Sequence, residues 1–248
     1  MPRADLLLVE LGLAASRTAA QTMIAAGRVT VAGKVVSKAS QNLNAAADIT
    51  IAPDAADRYV SRGGLKLAGA LASAALEVAG MQALDVGIST GGFTDCLLQE
   101  GARRVIGVEV GHDQLHPRLQ ADARVTQFEG VNARHLTPEL IAGAQDGPLD
   151  LVVGDVSFIS LTLVLPALRA VLPAGGRLLF LVKPQFEVGP ENLGKGGIVR
   201  DESLYPQVAA KICAAATMAG FCVLDYFESP IQGGDGNREF FIYAVAAK

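Results

Sequence analysis

The chain has 248 residues, half of them hydrophobic and 19% charged, which excludes a disordered chain and fits one large α/β domain plus a small module. Its net charge of −4 is unevenly spread, with +3 on residues 1–46 (five basic, two acidic side chains) and −7 on residues 47–248. A basic head on an acidic body suits a protein in which one module delivers a polyanion to another.

The first stretch, LLLVELGLAA, has the apolarity of a signal-peptide core, but Asp5 precedes it and Glu10 interrupts it. An amphipathic helix is the better reading, with Leu6, Leu7, Val9, Leu11 and Leu13 as its apolar residues. Ser16 is placed to cap a second helix that runs through RTAAQTMIAAG and stops at Gly27. RVTVAGKVV then alternates as a hairpin around Gly33. NLNAAADITIAPDAADR holds one more short strand and a polar, alanine-rich stretch, which sets a boundary near residues 54–60 and divides residues 1–58 from 59–248.

Beyond Tyr59 the pattern alternates. Strand-like stretches occur at ALDVG, RVIGVEV, RVTQF, LDLVVGDV, GRLLFLVK, FCVLDYF and EFFIYAV. Helical stretches at residues 64–79, 92–100, 112–121, 160–171 and 203–219 fall between most of them, as in a parallel sheet covered on both faces. The last two strands are joined by ESPIQGGDGNR, which holds no helix for a crossover and so predicts an antiparallel hairpin. The expected fold is α/β, a seven-stranded Rossmann-like class I methyltransferase sheet with one antiparallel strand, behind a small N-terminal α+β domain. Cys96, Cys213 and Cys222 lack the spacing of a zinc site or disulfide framework and are expected to be reduced core residues of a cytoplasmic protein. No run approaches the ~20 apolar residues of a membrane-spanning helix.

The sheet's first turn, LDVGISTGGFTDCLLQEG, spaces its glycines as Gly87, Gly91 and Gly92. That is neither the dinucleotide G-x-G-x-x-G nor a Walker loop, which ends in Gly-Lys-Ser/Thr. Asp85 stands in the strand, Gly92 lets the backbone approach a flat ligand, and Glu109 ends the next strand, where a carboxylate can take both ribose hydroxyls of an adenosine. The turn alone leaves a dinucleotide and S-adenosylmethionine both open; a sulfonium donor carries no phosphate and needs no lysine there.

Ionisable groups also stand where strands end, on the side at which open α/β sheets bind ligands. Asp155 closes LVVGDV, Lys183 closes LLFLVK, Glu239 opens the last strand, and Lys66 lies one turn into the domain's first helix. Each has an ordinary reading: a solvated strand end for Lys183, a pairing with Arg238 for Glu239. Together they carry more, because a second cation beside a lysine favours the neutral amine, which alone can accept a proton from a sugar hydroxyl.

These four residues resemble the Lys-Asp-Lys-Glu tetrad of FtsJ-like ribose 2′-O-methyltransferases. YVSRGGLKL, STGGFTDCLLQ, NARHLTPE, DVSFISL, VKPQFEVG and GKGGIVRD extend the likeness to the TlyA family, which joins an S-four-like RNA-binding domain to such a methyltransferase. The resemblance implies 2′-O-methylation of ribose, on cytidine, in ribosomal RNA or ribosomal subunits, with S-adenosylmethionine as cofactor. It implies Lys183 as general base, Lys66 favouring its neutral form and holding the ribose, Asp155 positioning Lys183, and Glu239 orienting the lysines or the hydroxyl. The cofactor set it implies is Asp85, Gly87, Ser89, Thr90, Gly91, Gly92, Phe93, Glu109, Asn132, Ala133 and Asp155, with Asn132 and Ala133 flanking the adenine. Arg3, Arg17, Arg28, Lys34, Lys38 and Arg62 are its candidate RNA contacts. Ile88, Glu109, His112, His116-Pro117, Gln232 and Arg238 depart from the usual run. His135 is expected to cap or pack at a helix start, and no metal cluster is visible. The competing readings are a membrane-lysing protein, since family members are also described as haemolysins, and a non-catalytic RNA-binding assembly factor.

Overall fold

A computed structural model describes residues 1–14, 16–44, 48–234 and 236–248, and in it the chain forms two units, Met1–Asp57 and Arg58–Lys248. The first unit opens with α1 (Ala4–Glu10), which buries Ala4, Leu7 and Leu8 and leaves Leu6 and Val9 exposed, as are Leu11 and Leu13 beyond it. This corrects the expected apolar face. Residues 7, 9, 11 and 13 recur at a strand period, whereas a helix brings residues three and four apart together. Ser16 Oγ accepts the Ala19 N–H at 3.2 Å and starts α2 (Arg17–Ala25), which ends ahead of Gly27. β1 (Val29–Val31) and β2 (Lys34–Val35) make the hairpin, and Ala32 and Gly33 between them both take positive φ, as a type I′ turn requires. β3 (Ile49–Ile51) pairs with the other side of β1. Of the alanine-rich stretch before it, residues 45–47 lie outside the described residues.

The second unit runs α3 (Gly63–Ser73), β4 (Gln82–Val86), α4 (Gly92–Gln99), β5 (Arg104–Val108), α5 (Pro117–Gln120) and β6 (Val125–Phe128). It continues through α6 (Pro138–Ile141), β7 (Leu151–Gly154), α7 (Leu165–Val171), β8 (Arg177–Val182), α8 (Tyr205–Met218), β9 (Phe221–Glu228) and β10 (Phe240–Ala246). The strand order is β6-β5-β4-β7-β8-β10-β9, with β10 antiparallel to both its neighbours and the other pairs parallel. All seven expected strands are present, and the helix-free connection does lead into the antiparallel one.

Alternate residues of the central strands feed two cores. Leu84, Ile106, Val152 and Phe180 face α7 and α8; Ala83, Val105, Leu151 and Leu179 face α3 and α4. Burial on both faces is why these strands read as continuous apolar runs, and each fully buried Leu or Phe contributes roughly 1.5–3 kcal/mol.

Three helices are shorter than their sequence pattern. α3 stops at Ser73 because Ala75 turns left-handed (φ 46°), with the Leu76 N–H on the Leu71 carbonyl and the Ala75 N–H on the Ala72 carbonyl. α5 starts only at Pro117, which has no N–H to donate to a preceding turn. Residues 160–171 begin as a 3₁₀ turn over Leu161–Leu163, and Pro166 then sits in the first turn of α7. Of the cysteines only Cys96 is buried; Cys213 is half-buried and Cys222 is exposed on β9, so the expectation of three core cysteines holds for one.

Candidate active site

Strand order reverses at β4, with β5 on one side and β7 on the other, which opens a crevice beyond their carboxyl ends. The chain leaves β4 through Gly87, where a Cβ would stand 2.6 Å from the Asp155 carbonyl oxygen, so only glycine lets the loops after β4 and β7 meet. Ser89 takes φ 46°, and Gly91 is the left-handed N-cap of α4. At Gly91 a Cβ would lie 2.2 Å from Leu119 Cδ1, so this glycine serves the packing of α5 against the turn.

A cleft of about 730 Å³ occupies the crevice, and Gly87, Ser89, Glu109, Asn132, Ala133 and Asp155 of the expected cofactor set line it. Glu109 Oε2 accepts the Ser89 N–H at 3.0 Å and Oε1 the Gly111 N–H at 2.9 Å. The carboxylate is thereby fixed, and each oxygen retains a further acceptor site. Asn132 Oδ1 accepts the Arg134 N–H at 3.0 Å and caps a short 3₁₀ turn that ends at His135; the cap is Asn132, and His135 is exposed.

A second recess of about 320 Å³ adjoins the cleft and shares Gly87, Ser89, Asp155 and Ser157 with it. Thr90, Gly92 and Phe93 line this recess rather than the cleft. Asp85 and Gly91 line neither. Asp85 is buried beneath the turn, with Oδ2 accepting from Thr94 Oγ1 at 2.7 Å and Oδ1 unpartnered. Burial pushes its carboxyl up to about 7, against the opposing effect of the Thr94 bond.

Lys66 and Lys183 enter the recess from α3 and the end of β8. Lys66 Nζ stands 2.5 Å from Glu239 Oε2 and 3.9 Å from Asp155 Oδ2, and Lys183 Nζ stands 2.5 Å from Asp155 Oδ1. The four residues named from the sequence thus form one chain of contacts, Lys183–Asp155–Lys66–Glu239. Lys183 Nζ also donates to Ser157 Oγ at 2.8 Å.

Two neighbours escaped sequence reasoning. Ser157 is one, and Phe158 is the other: its ring is 91% exposed, its φ is 62°, and it lies 5.2 Å from the Phe186 ring at the cleft's edge. A bulky residue at positive φ costs energy and marks a segment held in place by its surroundings. Only the aromatic within DVSFISL, beside a strand end, could have signalled it.

Of the candidate RNA contacts, Arg62 lines the recess and donates to the Gln232 carbonyl at 3.3 Å. Arg3 and Arg17 both hold the buried Asp5, each at 2.9 Å, and keep its carboxyl well below the usual carboxylate range. Arg28 pairs with Asp57 and, at 3.9 Å, with Asp54. Lys34 and Lys38 are exposed. Among the described residues no group of three or more His, Cys, Asp and Glu is arranged to hold a metal, and no helix is long and apolar enough to cross a membrane.

Comparison with known proteins places these features. A model of the FtsJ-like methyltransferase family matches residues 59–245 and one of the S4 domain matches residues 3–49. The chain is 42% identical to the Mycobacterium tuberculosis 16S/23S rRNA (cytidine-2′-O)-methyltransferase TlyA, over 97% of this chain and 88% of that one. It is 36% identical to Hemolysin A of Brachyspira hyodysenteriae, over 94% and 95%. A solved structure of a Streptococcus thermophilus protein bearing a hemolysin name has a TM-score of 0.78 at 41% identity, over 99% of this chain and 88% of that one. Aeropyrum pernix fibrillarin, solved with S-adenosyl-L-methionine, shares the fold at 21% identity with a TM-score of 0.54, over 74% and 76%. The chain belongs to the TlyA family, an S4 domain joined to an FtsJ-like methyltransferase of the S-adenosylmethionine-dependent α/β fold.

Proposed function

We propose that this protein transfers a methyl group from S-adenosylmethionine to the 2′-hydroxyl of a cytidine ribose in ribosomal RNA. The observation that carries the reading is that the cleft and the recess meet at Asp155, which contacts both lysines. A donor in the cleft and a ribose in the recess would adjoin at that point.

The cleft fits the donor by its own chemistry. The end of β5 offers in Glu109 a fixed carboxylate for an adenosine ribose, and Asn132 and Ala133, which line the same cleft, would flank the adenine. The bound donor supplies an electrophilic sulfonium methyl. On the recess side, Lys183 accepts the proton that the 2′-hydroxyl gives up as its oxygen bonds to that methyl, while the methyl–sulfur bond breaks with its electron pair staying on sulfur and S-adenosylhomocysteine as the leaving group. A neutral amine has two hydrogens and one lone pair. Lys183 Nζ donates to Ser157 Oγ and lies against Asp155, and these two contacts hold the amine in the recess where the hydroxyl would stand. Lys66, charged and held by Glu239, is a ligand for the ribose oxygens, and Glu239 keeps it there. Phe158 presents an aromatic face at the rim on which the substrate's base can stack. The N-terminal unit docks structured RNA through its exposed cations, Lys34 and Lys38, on phosphates. Arg3, Arg17 and Arg28, engaged by carboxylates, shape that surface. A ribosomal RNA substrate puts the protein in the cytoplasm.

The test is transfer of labelled methyl to purified ribosomal subunits and to naked ribosomal RNA, followed by nucleoside mass spectrometry. The expected product is 2′-O-methylcytidine. A methyl group on a base, or no transfer to either substrate, would overturn the reading.

A further inference from the structure

Beyond the tetrad, Glu109 and Asp85, a further buried carboxylate is tied to the site. Glu187 lies four residues after Lys183, just past the 3₁₀ turn Pro184–Phe186, and its side chain is 2% exposed. Its Oε1 accepts the Leu161 N–H at 2.7 Å, and its Oε2 accepts from Ser160 Oγ at 2.7 Å. Lys211 of α8 donates to Oε2 at 2.8 Å and to the Glu187 carbonyl at 3.0 Å, so the charge is compensated from behind the sheet.

The residues that Glu187 grips end the segment that leaves β7. That segment begins at Asp155, carries Ser157 against Lys183 and presents Phe158 at the cleft. It is therefore fastened at both ends. Lys183 holds Asp155 and Ser157 at one end, Glu187 holds Ser160 and Leu161 at the other, and the left-handed Phe158 lies between them. Without the second fastening Ser160 keeps only its local bonds to Thr162 and Leu163, which do not tie it to β8, so Phe158 is freer to relax to an ordinary backbone conformation and Ser157 would move with it.

We propose that Glu187 is a positioning residue for the transfer reaction: by clamping Ser160 and Leu161 to the Lys183 end of β8, it sets the orientation of the Ser157–Phe158 segment toward Lys183 and the substrate. The proposal rests on the reading of the recess as the acceptor site. It separates the two replacements of Glu187. Glu187→Gln keeps an oxygen for the Leu161 N–H, and its amide can donate to the Ser160 hydroxyl; Lys211 loses Oε2 and keeps the residue-187 carbonyl, so the grip on Ser160 and Leu161 survives without the ion pair. Glu187→Ala removes both bonds.

The chain contains no tryptophan, so Phe158→Trp places a single tryptophan on the segment, which can be excited apart from the tyrosines. In that background Glu187→Ala is expected to lower tryptophan anisotropy, and Glu187→Gln to leave it near its starting value. In the otherwise unaltered protein, Glu187→Ala is expected to lower kcat on ribosomal RNA by about 10–100-fold, as when a supporting residue of a site is lost, with a much smaller change in donor Kd, since the segment also lines the cleft. Glu187→Gln should restore most of the rate. Ser160→Ala, which removes one of the two Glu187 bonds together with the Ser160 Oγ bonds to Thr162 and leaves the Lys211 pair and the Leu161 bond intact, should shift both readouts less and in the same direction, and it serves if Glu187→Ala does not fold. Wild-type kcat and anisotropy in Glu187→Ala or Ser160→Ala, or a fall in donor binding that matches the fall in rate, would overturn the proposal. Failure of the unaltered protein to methylate RNA would count against the acceptor-site reading instead, since the anisotropy reads the clamp without catalysis.

Discussion

Glutamine at Glu109 perturbs the donor site by a calculable amount. Each Glu109 oxygen accepts one backbone N–H, from Ser89 and Gly111 at 3.0 and 2.9 Å, and in the proposed complex each also accepts a ribose hydroxyl. Glutamine offers one oxygen, so its NH₂ group would face one of those N–H groups donor to donor. A hydrogen bond to a charged group contributes about 1.5–3 kcal/mol, so loss of one such bond to the ribose should weaken donor binding about 10–150-fold. Isothermal titration of Glu109→Gln with S-adenosylmethionine and with S-adenosylhomocysteine measures this. Both ligands should weaken equally, because Glu109 meets the ribose and not the sulfur. Affinities within about threefold of wild type, under ~0.7 kcal/mol, would refute the assignment.

Three further outcomes are expected. The Asp85 carboxyl, pushed up to about 7 by burial, favours the folded state while it is protonated. Its contribution is fully present below about pH 4 and is lost as pH rises through about 7, by about 4 kcal/mol in all. Thermal melts of Asp85→Asn should accordingly gain on wild type as pH rises, and parallel pH profiles would contradict this. Replacing Lys34 and Lys38 by alanine should weaken RNA binding across sequences and flatten its salt dependence by about two counterions; an unchanged slope would remove them from the RNA surface. Phe158→Ala should lower transfer to RNA while donor affinity is kept, with a loss of about 1–3 kcal/mol if a base stacks there. Unchanged RNA kinetics would show that the base rests elsewhere.

Much of this architecture was legible in the sequence because it depends on local pattern. Seven strand-like runs became seven strands, the five inner ones apolar because they are buried along most of their length, and ESPIQGGDGNR announced an antiparallel return by lacking a helix. Helix phase and length were less legible. The face of α1 turns on which three residues meet the core, and α3 ends at an alanine in a conformation that alanine rarely adopts. At the site, Asp155, Lys183 and Glu239 stood out because charge at the end of an apolar strand is conspicuous, and Lys66 because it stands among Leu65, Leu67 and Ala68 at the start of a helix. The partners of charges elsewhere were not legible. That Asp5 engages Arg3 and Arg17, that Asp57 engages Arg28, and that Glu187 grips Ser160 are consequences of tertiary geometry, which spacing along the chain does not encode. Asp85 shows the same limit. Its place in the strand suggested a ligand contact, whereas the structure buries it against Thr94, below the cleft.

The central claim is that Lys183 takes the proton of a ribose hydroxyl, and Lys183→Ala tests it most directly when transfer and donor binding are measured on the same preparation. General acid–base catalysis contributes about 10²–10⁴-fold, so transfer to ribosomal RNA should fall by that order while S-adenosylmethionine binds as in the wild type. Wild-type turnover in Lys183→Ala, or a loss of turnover fully explained by lost donor affinity, would contradict the account.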